Sequence, residues 1–278
     1  MIRNLSAPFV FLKQLPNFIF LLFLVGSNAH IVLAARVPVG DGKAVALATQ
    51  SLAALTGKSA IADVTLTGSV ELNGTDAGTG VLKALGTEES RIDLTTSSGA
   101  STELRDAQSG SPRGQWGSGA QNAKAIPLQN CQTDAVWFFP ALTSLGGRGN
   151  RNLKYLGQET HNDVTVEHVR SYLLDAKLPR DVGSRVETLT AVDFYLDAAT
   201  LLPIALSFNV HPNDDNNVDL LTEIQFSNYQ NINGVMVPMK IQKYLQGNLL
   251  LDFTVSNVAL NTDLSMTDFA VSAAQAGR

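Results

Sequence analysis

AVDFYLDAATLLPIALSFNVHPNDDNNVDLLTEIQFSNYQNINGVMVPMKIQKYLQGNLLLDFTVSNVALN, residues Ala191 to Asn261, decides the fold, because pattern, turn chemistry and segment length agree along its whole course. Val192, Phe194 and Leu196 alternate with Asp193, Tyr195 and Asp197, and Ile204, Leu206, Phe208 and Val210 alternate with Ala205, Ser207 and Asn209. His211–Asn217 is turn chemistry throughout. Beyond it, Leu220, Thr222, Ile224 and Phe226 oppose Leu221, Glu223, Gln225 and Ser227. Asn233-Gly234 is a hairpin signal, since both residues tolerate positive φ. Val235, Val237, Met239 and Ile241 follow, and Gln246-Gly247-Asn248 turns the chain into Leu249, Leu251, Phe253 and Val255. Alternation at period two with short turns means an antiparallel meander with one apolar and one wet face.

Working outward, further strands are expected over Ile61–Leu72, Thr79–Leu85, Glu89–Thr95, Ser101–Ala107, Asn152–Thr160 and Val164–Leu174. A helix is predicted from Asp41, as its cap, to Leu55, with Gly57 as the stop and Val45, Ala48, Leu52 and Leu55 on one face. Leu128–Leu145 changes to helical spacing; Pro140 makes it a kinked helix or two short pieces. Ser184–Leu189 reads as a short helix. The fold class is therefore α+β and mostly antiparallel β.

The first residues differ from the rest. Arg3 and Lys13 precede the apolar run Phe18–Val25, and small residues follow, which is the layout of a secretory signal peptide. Cleavage is expected after Ala34, with Ala29 as the alternative, leaving 35–278 as a single domain; a retained anchor is the competing reading. A formal charge of −5 and a pI near 5.3 argue against a nucleic-acid partner. Cys131 is the only cysteine, so it is read as a buried inert thiol.

Motifs for catalysis and metal binding are missing from the pattern. His161, His168 and His211 lack zinc-ligand spacing, and His161 and His211 fall in turns, where imidazole is expected to be solvated. No G-x-S-x-G occurs, and Gly146–Gly149 lacks the Lys-Ser/Thr of a phosphate loop. The acidic loop Asn213–Asn217 does not match a calcium loop. Asp193 and Asp197 on the wet face are a conceivable acid/base pair, but such charges are ordinarily solubilising. We expect no enzyme activity, no metal and no cofactor.

The feature left over is Trp137, Phe138, Phe139, Leu142 and Leu145. Four consecutive bulky residues, Trp137 to Pro140, cannot all face one way on a helix, so part of the cluster is expected to meet a second apolar environment. A sheet of about ten strands is ~48 Å wide, and a few short helices of ~10 Å diameter cannot cover it. The sheet should then curl over them or leave an apolar hollow, and these five residues are the candidate ligand-binding set.

Phe194–Pro203, Phe226-Ser227-Asn228-Tyr229, Asn233–Pro238, Lys240-Ile241, Gly247, Val258–Asn261 and Phe269 together resemble the LolA/LolB-like superfamily of bacterial envelope proteins. The likeness covers roughly Asn152–Phe269. That group includes lipoprotein carriers, mycobacterial lipid carriers and an envelope-stress sensor domain. The resemblance implies a curved, unclosed half-barrel of about eleven strands with a few helices in its mouth. It also implies a hydrophobic cavity for acyl chains or a lipidated protein, and it brings no catalytic residue. The expected function is an exported, non-enzymatic, periplasmic or secreted binder of lipid-like ligands. Peripheral membrane or envelope-protein contact is the accompanying expectation. The alternative is an envelope sensor or scaffold that contacts another protein; a hydrolase using wet-face carboxylates is a third reading.

Overall fold

Asp41 sets the first element. Its carboxylate accepts from the Ala44 amide at 2.7 Å, which caps helix α1 (Gly42–Thr56), and from the Tyr155 amide at 2.7 Å, which fixes the helix to a strand. Gly57, at φ 58°, closes the helix by donating to the Ala53 carbonyl. The buried face is Ala44, Leu47, Ala48, Ser51 and Leu55. Val45 and Leu52, expected on that face, are only half-buried.

The computed structural model describes residues 39–106, 113–118, 122–131, 133, 135–146, 151–174, 177–212, 214–215 and 217–270. The expected leader Met1–Ala34, the loop residues Gly147–Gly149, and Asn213 and Asn216 of the acidic loop lie outside them. Fourteen strands form one sheet. They are β1 (Val39–Gly40), β2 (Asp63–Leu72), β3 (Asp76–Leu85), β4 (Glu89–Thr96), β5 (Gly99–Asp106), β6 (Arg113–Gly117), β7 (Lys124–Ala125), β8 (Arg151–His161), β9 (Val164–Leu173), β10 (Val192–Asp197), β11 (Pro203–Val210), β12 (Leu220–Ile232), β13 (Val235–Leu245) and β14 (Asn248–Leu260). Every expected strand is present. The additional ones, β1, β6 and β7, are too short to show an alternating pattern.

The order across the sheet is β1-β8-β9-β10-β11-β12-β13-β14-β2-β3-β4-β5-β6-β7. All neighbours are antiparallel except β1, which lies parallel to β8. Two meanders, β8–β14 and β2–β7, therefore meet where the last strand pairs with β2. The sheet does not close, so the architecture is an α+β half-barrel.

Two-residue turns pin the registers. Asn162-Asp163, Asn233-Gly234 and Gln246-Gly247 all have positive φ at both positions, the geometry whose twist matches that of the flanking strands. Inward-facing residues follow from the ladders: Phe194 pairs with Leu206, Phe226 with Ile241, Ile241 with Phe253, and Leu66 with Leu82. They share one core with α1 and with Ala135–Leu145. On the outer face a turn of 3-10 helix, Met266–Phe269, buries Phe269 across β4 and β5.

The helical readings need correction in two places. Helix α3 spans Arg180–Thr190, longer than expected. The predicted helix over Leu128–Leu145 is instead α2 (Leu128–Cys131) followed by a turn and two single turns of 3-10 helix, Pro140–Leu142 and Ser144–Gly146. Pro140 has no amide to donate and starts a new turn rather than bending a continuous helix.

The hairpin at Asn233-Gly234 supplies a test. Replacing both residues with Val forces β-branched side chains into φ values of 52° and 88°. The double variant is expected to lose about 2 kcal/mol of stability in urea unfolding; an unchanged midpoint would contradict the turn assignment.

Candidate functional site

Because Trp137, Phe138 and Phe139 do not lie on a helix, the constraint that they must face different ways is lifted. All three, with Leu142 and Leu145, are buried in the single core. The helical premise behind the expected second apolar environment is corrected for that reason. Trp137 and Phe138 meet edge to face, with ring centroids 5.6 Å apart. The segment fills the concave side of the sheet like a plug.

Side-chain burial dominates what holds the plug. Among the described residues, the backbone bonds of Val136–Gly146 close within the segment: Phe139 donates to Val136, Leu142 to Phe139, Thr143 to Pro140 and Gly146 to Thr143. The sheet ladders do not include it. Its N-terminal end is anchored differently. Ile126 donates to the Gly114 carbonyl, and Asn130 exchanges two hydrogen bonds with the backbone of His211, at 2.9 and 2.8 Å. His211, expected to be solvated, is buried with Nδ1 3.1 Å from the Val218 carbonyl. His161 is likewise not free in solvent, since it stacks on Tyr195 at 3.7 Å.

A hollow of about 120 Å³ remains beside the plug, walled by Ile92, Leu94, Leu251, Trp116 and Trp137, with Glu103 and Lys243 at one side. It is small, because the plug packs against the rest of the core on this face. Its charged rim has no local signature in the sequence other than strand parity. Arg105 is buried and donates to Glu103 Oε1 and to the Asn130 carbonyl, both at 2.9 Å. Lys243 reaches over the Trp137 ring at 4.6 Å. A parity signal existed. Glu103 pairs with Ile92, and Lys243 pairs with Ile224 and Leu251, so both charges fall on inward-facing positions of their strands.

The electrostatics follow from this geometry. Burial raises the Glu103 carboxyl, but the charges of Arg105 and Lys243 and the Arg105 hydrogen bond outweigh it and hold the group below its ordinary value. Burial presses the Lys243 ammonium below its usual range; Glu103 opposes this and Arg105 adds to it.

A second, larger cleft of about 360 Å³ lies between α3 and the outer face, lined by Arg170, Glu187, Asp193, Ser207 and Asn209 among others. Its charges are largely consumed internally. Arg170 grips Asp193 at 2.7 and 2.8 Å, and His168 lies 3.2 Å from the same carboxylate and 3.0 Å from Glu159. Asp197 instead accepts from the Ala199 and Thr200 amides of its turn, so Asp193 and Asp197 do not converge. Cys131 is buried, as expected.

Comparison with solved structures identifies the class. The chain superposes on a putative outer membrane lipoprotein-sorting protein domain from Vibrio parahaemolyticus with a TM-score of 0.53 and 16% identity, over 81% of this chain and 94% of that one. A LolA superfamily protein from Nitrosomonas europaea gives 0.50 and 14% identity, over 82% and 97%. A DUF1329 family protein from Desulfovibrio piger gives 0.51 and 13% identity, over 82% and 96%. The fold is the LolA-type half-barrel. No family model matches the sequence, and no curated protein matches it either.

Arg105 carries a testable consequence. Arg105→Ala removes the Glu103 partner and leaves the Asn130 carbonyl with only the Thr133 hydroxyl at 2.8 Å, and is expected to cost about 3 kcal/mol. Because the Glu103 pKa is depressed in the folded state, its contribution is fully present above the unfolded value of 4.5 and is lost as pH falls through the folded value. Urea titrations of wild type and variant should therefore converge as the solution is acidified below that value; a gap that stays constant would contradict the ion pair.

Proposed function

We propose that this protein is a non-enzymatic carrier of lipid-like ligands, acyl chains or a lipidated protein, in the cell envelope, and that the structure is its closed form. One observation carries the reading. The concave face of a half-barrel is covered by a plug whose apolar side chains are buried but whose backbone between Val136 and Gly146 joins no strand ladder among the described residues. Displacing that segment breaks no strand ladder, and an acyl chain replaces the apolar contact it gives up. Each buried CH₂ contributes about 0.8 kcal/mol, so a long chain reaches micromolar affinity after the costs of plug release and association. Trp137, Phe138, Phe139, Leu142 and Leu145 are the residues that exchange places with, or line, the ligand. The lipoprotein-sorting description of one structural relative supports the same cargo class.

Trp116 and Trp137 are the only tryptophans and both line the hollow, so intrinsic emission reports on it without labelling. Adding a long-chain fatty acid or phospholipid is expected to shift or quench that emission saturably. Leu142→Ala should lower stability by about 2–5 kcal/mol and yet tighten binding, because a weakened plug reduces the conformational cost of opening. No saturable change with any lipid, together with lipid-free organic extracts of the purified protein, would eliminate the carrier reading and leave a protein-docking scaffold.

Export belongs to the same proposal and rests on the layout of Met1–Ala34. N-terminal sequencing of protein recovered from an envelope fraction is expected to begin at Ala35. An intact Met1 retained in membranes would contradict cleavage.

A further inference from the structure

The hollow beside the plug is lined by two kinds of group. Ile92, Leu94, Leu251 and the two tryptophans make it apolar; Glu103 and Lys243 make one side of it charged. Arg105, buried behind them, is committed to Glu103 and to the Asn130 carbonyl. The Glu103 charge is thus matched by Arg105. Lys243 is the surplus cation of the trio. No carboxylate of the described residues stands within ion-pair distance of it; Glu103 acts on it only across the hollow, and the Trp137 ring is the group it reaches over.

An ammonium in such a place is expensive. Lys243 keeps some contact with solvent, but the surrounding protein is dense enough to destabilise its charged form. A charge taken out of water without a partner is destabilising unless something compensates it. A Met or Leu at the same inward position would pack against Ile224 and Leu251 with no such penalty. The cation is therefore best explained by a partner that arrives from outside.

We propose that Lys243 recognises the anionic headgroup of a single-chain amphiphile whose tail enters beneath Trp137. This rests on the carrier reading above and names its ligand class: a carboxylate or phosphate head on a long hydrocarbon chain. The hollow of about 120 Å³ has less volume than an engineered cavity of roughly 150 Å³ that holds benzene. It accommodates the head and the first carbons, and the remaining tail takes the volume vacated by Trp137, Phe138 and Phe139. Binding of the anion replaces the cation–π contact of Lys243 with a charge-assisted hydrogen bond. The plug thereby loses one of its holds as the ligand gains one. Glu103 disfavours a dianionic or bulky acidic head, which sets the preference for a small one.

The test uses the mature chain and its tryptophan emission, titrated with palmitate, hexadecyl phosphate and methyl palmitate below their aggregation concentrations. Palmitate or hexadecyl phosphate should bind roughly tenfold more tightly than the uncharged ester, and whichever of the two binds better identifies the head. Lys243→Gln should abolish that preference, with ester binding no weaker than in wild type because one hold on the plug is removed, and Lys243→Arg should restore it. Glu103→Gln, which removes the competing carboxylate, should enlarge the preference. Lys243→Met is expected to melt at or above the wild-type temperature, so that loss of selectivity in this variant is not loss of folding. Equal affinity of wild type for acid and ester, or a preference that survives Lys243→Gln, overturns the headgroup assignment while sparing the carrier reading. Absence of any saturable response, ester included, removes both.

Discussion

The pairing of β14 with β2 is the contact on which the rest of the structure depends. Every other antiparallel neighbour pair joins segments consecutive in the chain order, whereas this one brings together residues nearly two hundred apart, such as Val64 and Leu260. Without it there are two separate meanders, neither wide enough to wrap a core. The junction is reinforced at one end by side chains that have no other task. Asp63, buried, accepts from the amides of Thr262 and Asp263 at 2.8 and 3.1 Å, and Asn261 bridges the Ala62 amide and the Ala60 carbonyl. Loop-closure entropy opposes such a pairing, but it grows only slowly with length, and a long ladder with a latched end offsets it.

Curvature follows from what lies beside that seam. Gly68 pairs with Gly80 across β2 and β3, and the Phe253 ring on β14 lies over both; a Cβ on Gly80 would stand 2.9 Å from that ring. Side-chain-free strand at this point lets a large aromatic group lie flat on the sheet, with β14 bulged between Val255 and Asn257. The sheet therefore bends around its contents, and the plug is the right size to fill the bend. Sheet and plug are held by different forces. The sheet has a continuous ladder; Val136–Gly146 relies on burial, with its backbone bonds turned inward. That division is what allows one part to move while the other stays intact.

Most of the fold was legible because strands and turns write themselves locally. Alternation in Val192–Leu196 and positive-φ chemistry in Asn233-Gly234 each need only a few neighbours to take effect. Asp41 and Gly57 announced the ends of α1 in the same way. The plug carries a helical pattern, since Trp137, Leu142 and Leu145 recur at helical spacing, but Pro140 and the demands of a concave surface break its backbone into single turns. His211 illustrates the second kind of miss. Its turn sequence suggested solvent, but Asn130, from a distant element, covers it by bonding both sides of its backbone. Such burial is a property of the assembled sheet and has no local signature.

Lys243 shows how a departure from pattern carries more information than agreement with it. Along β13 the inward positions Val235, Val237 and Ile241 are buried and apolar, and the ladder assigns position 243 to the same face. A residue that only filled space there would be aliphatic. Glu103 takes an inward position of β5 in the same region of the concave face, between Ser101 and Arg105, and Arg105 holds it in place. Two inward-facing charges of opposite sign converging on one small hollow, from strands far apart in the chain, indicate a shared constraint. Stability alone does not supply it, since an apolar pair would pack better. The constraint that fits is a ligand with a long apolar part and a charged end, met by a surface built with the same two characters.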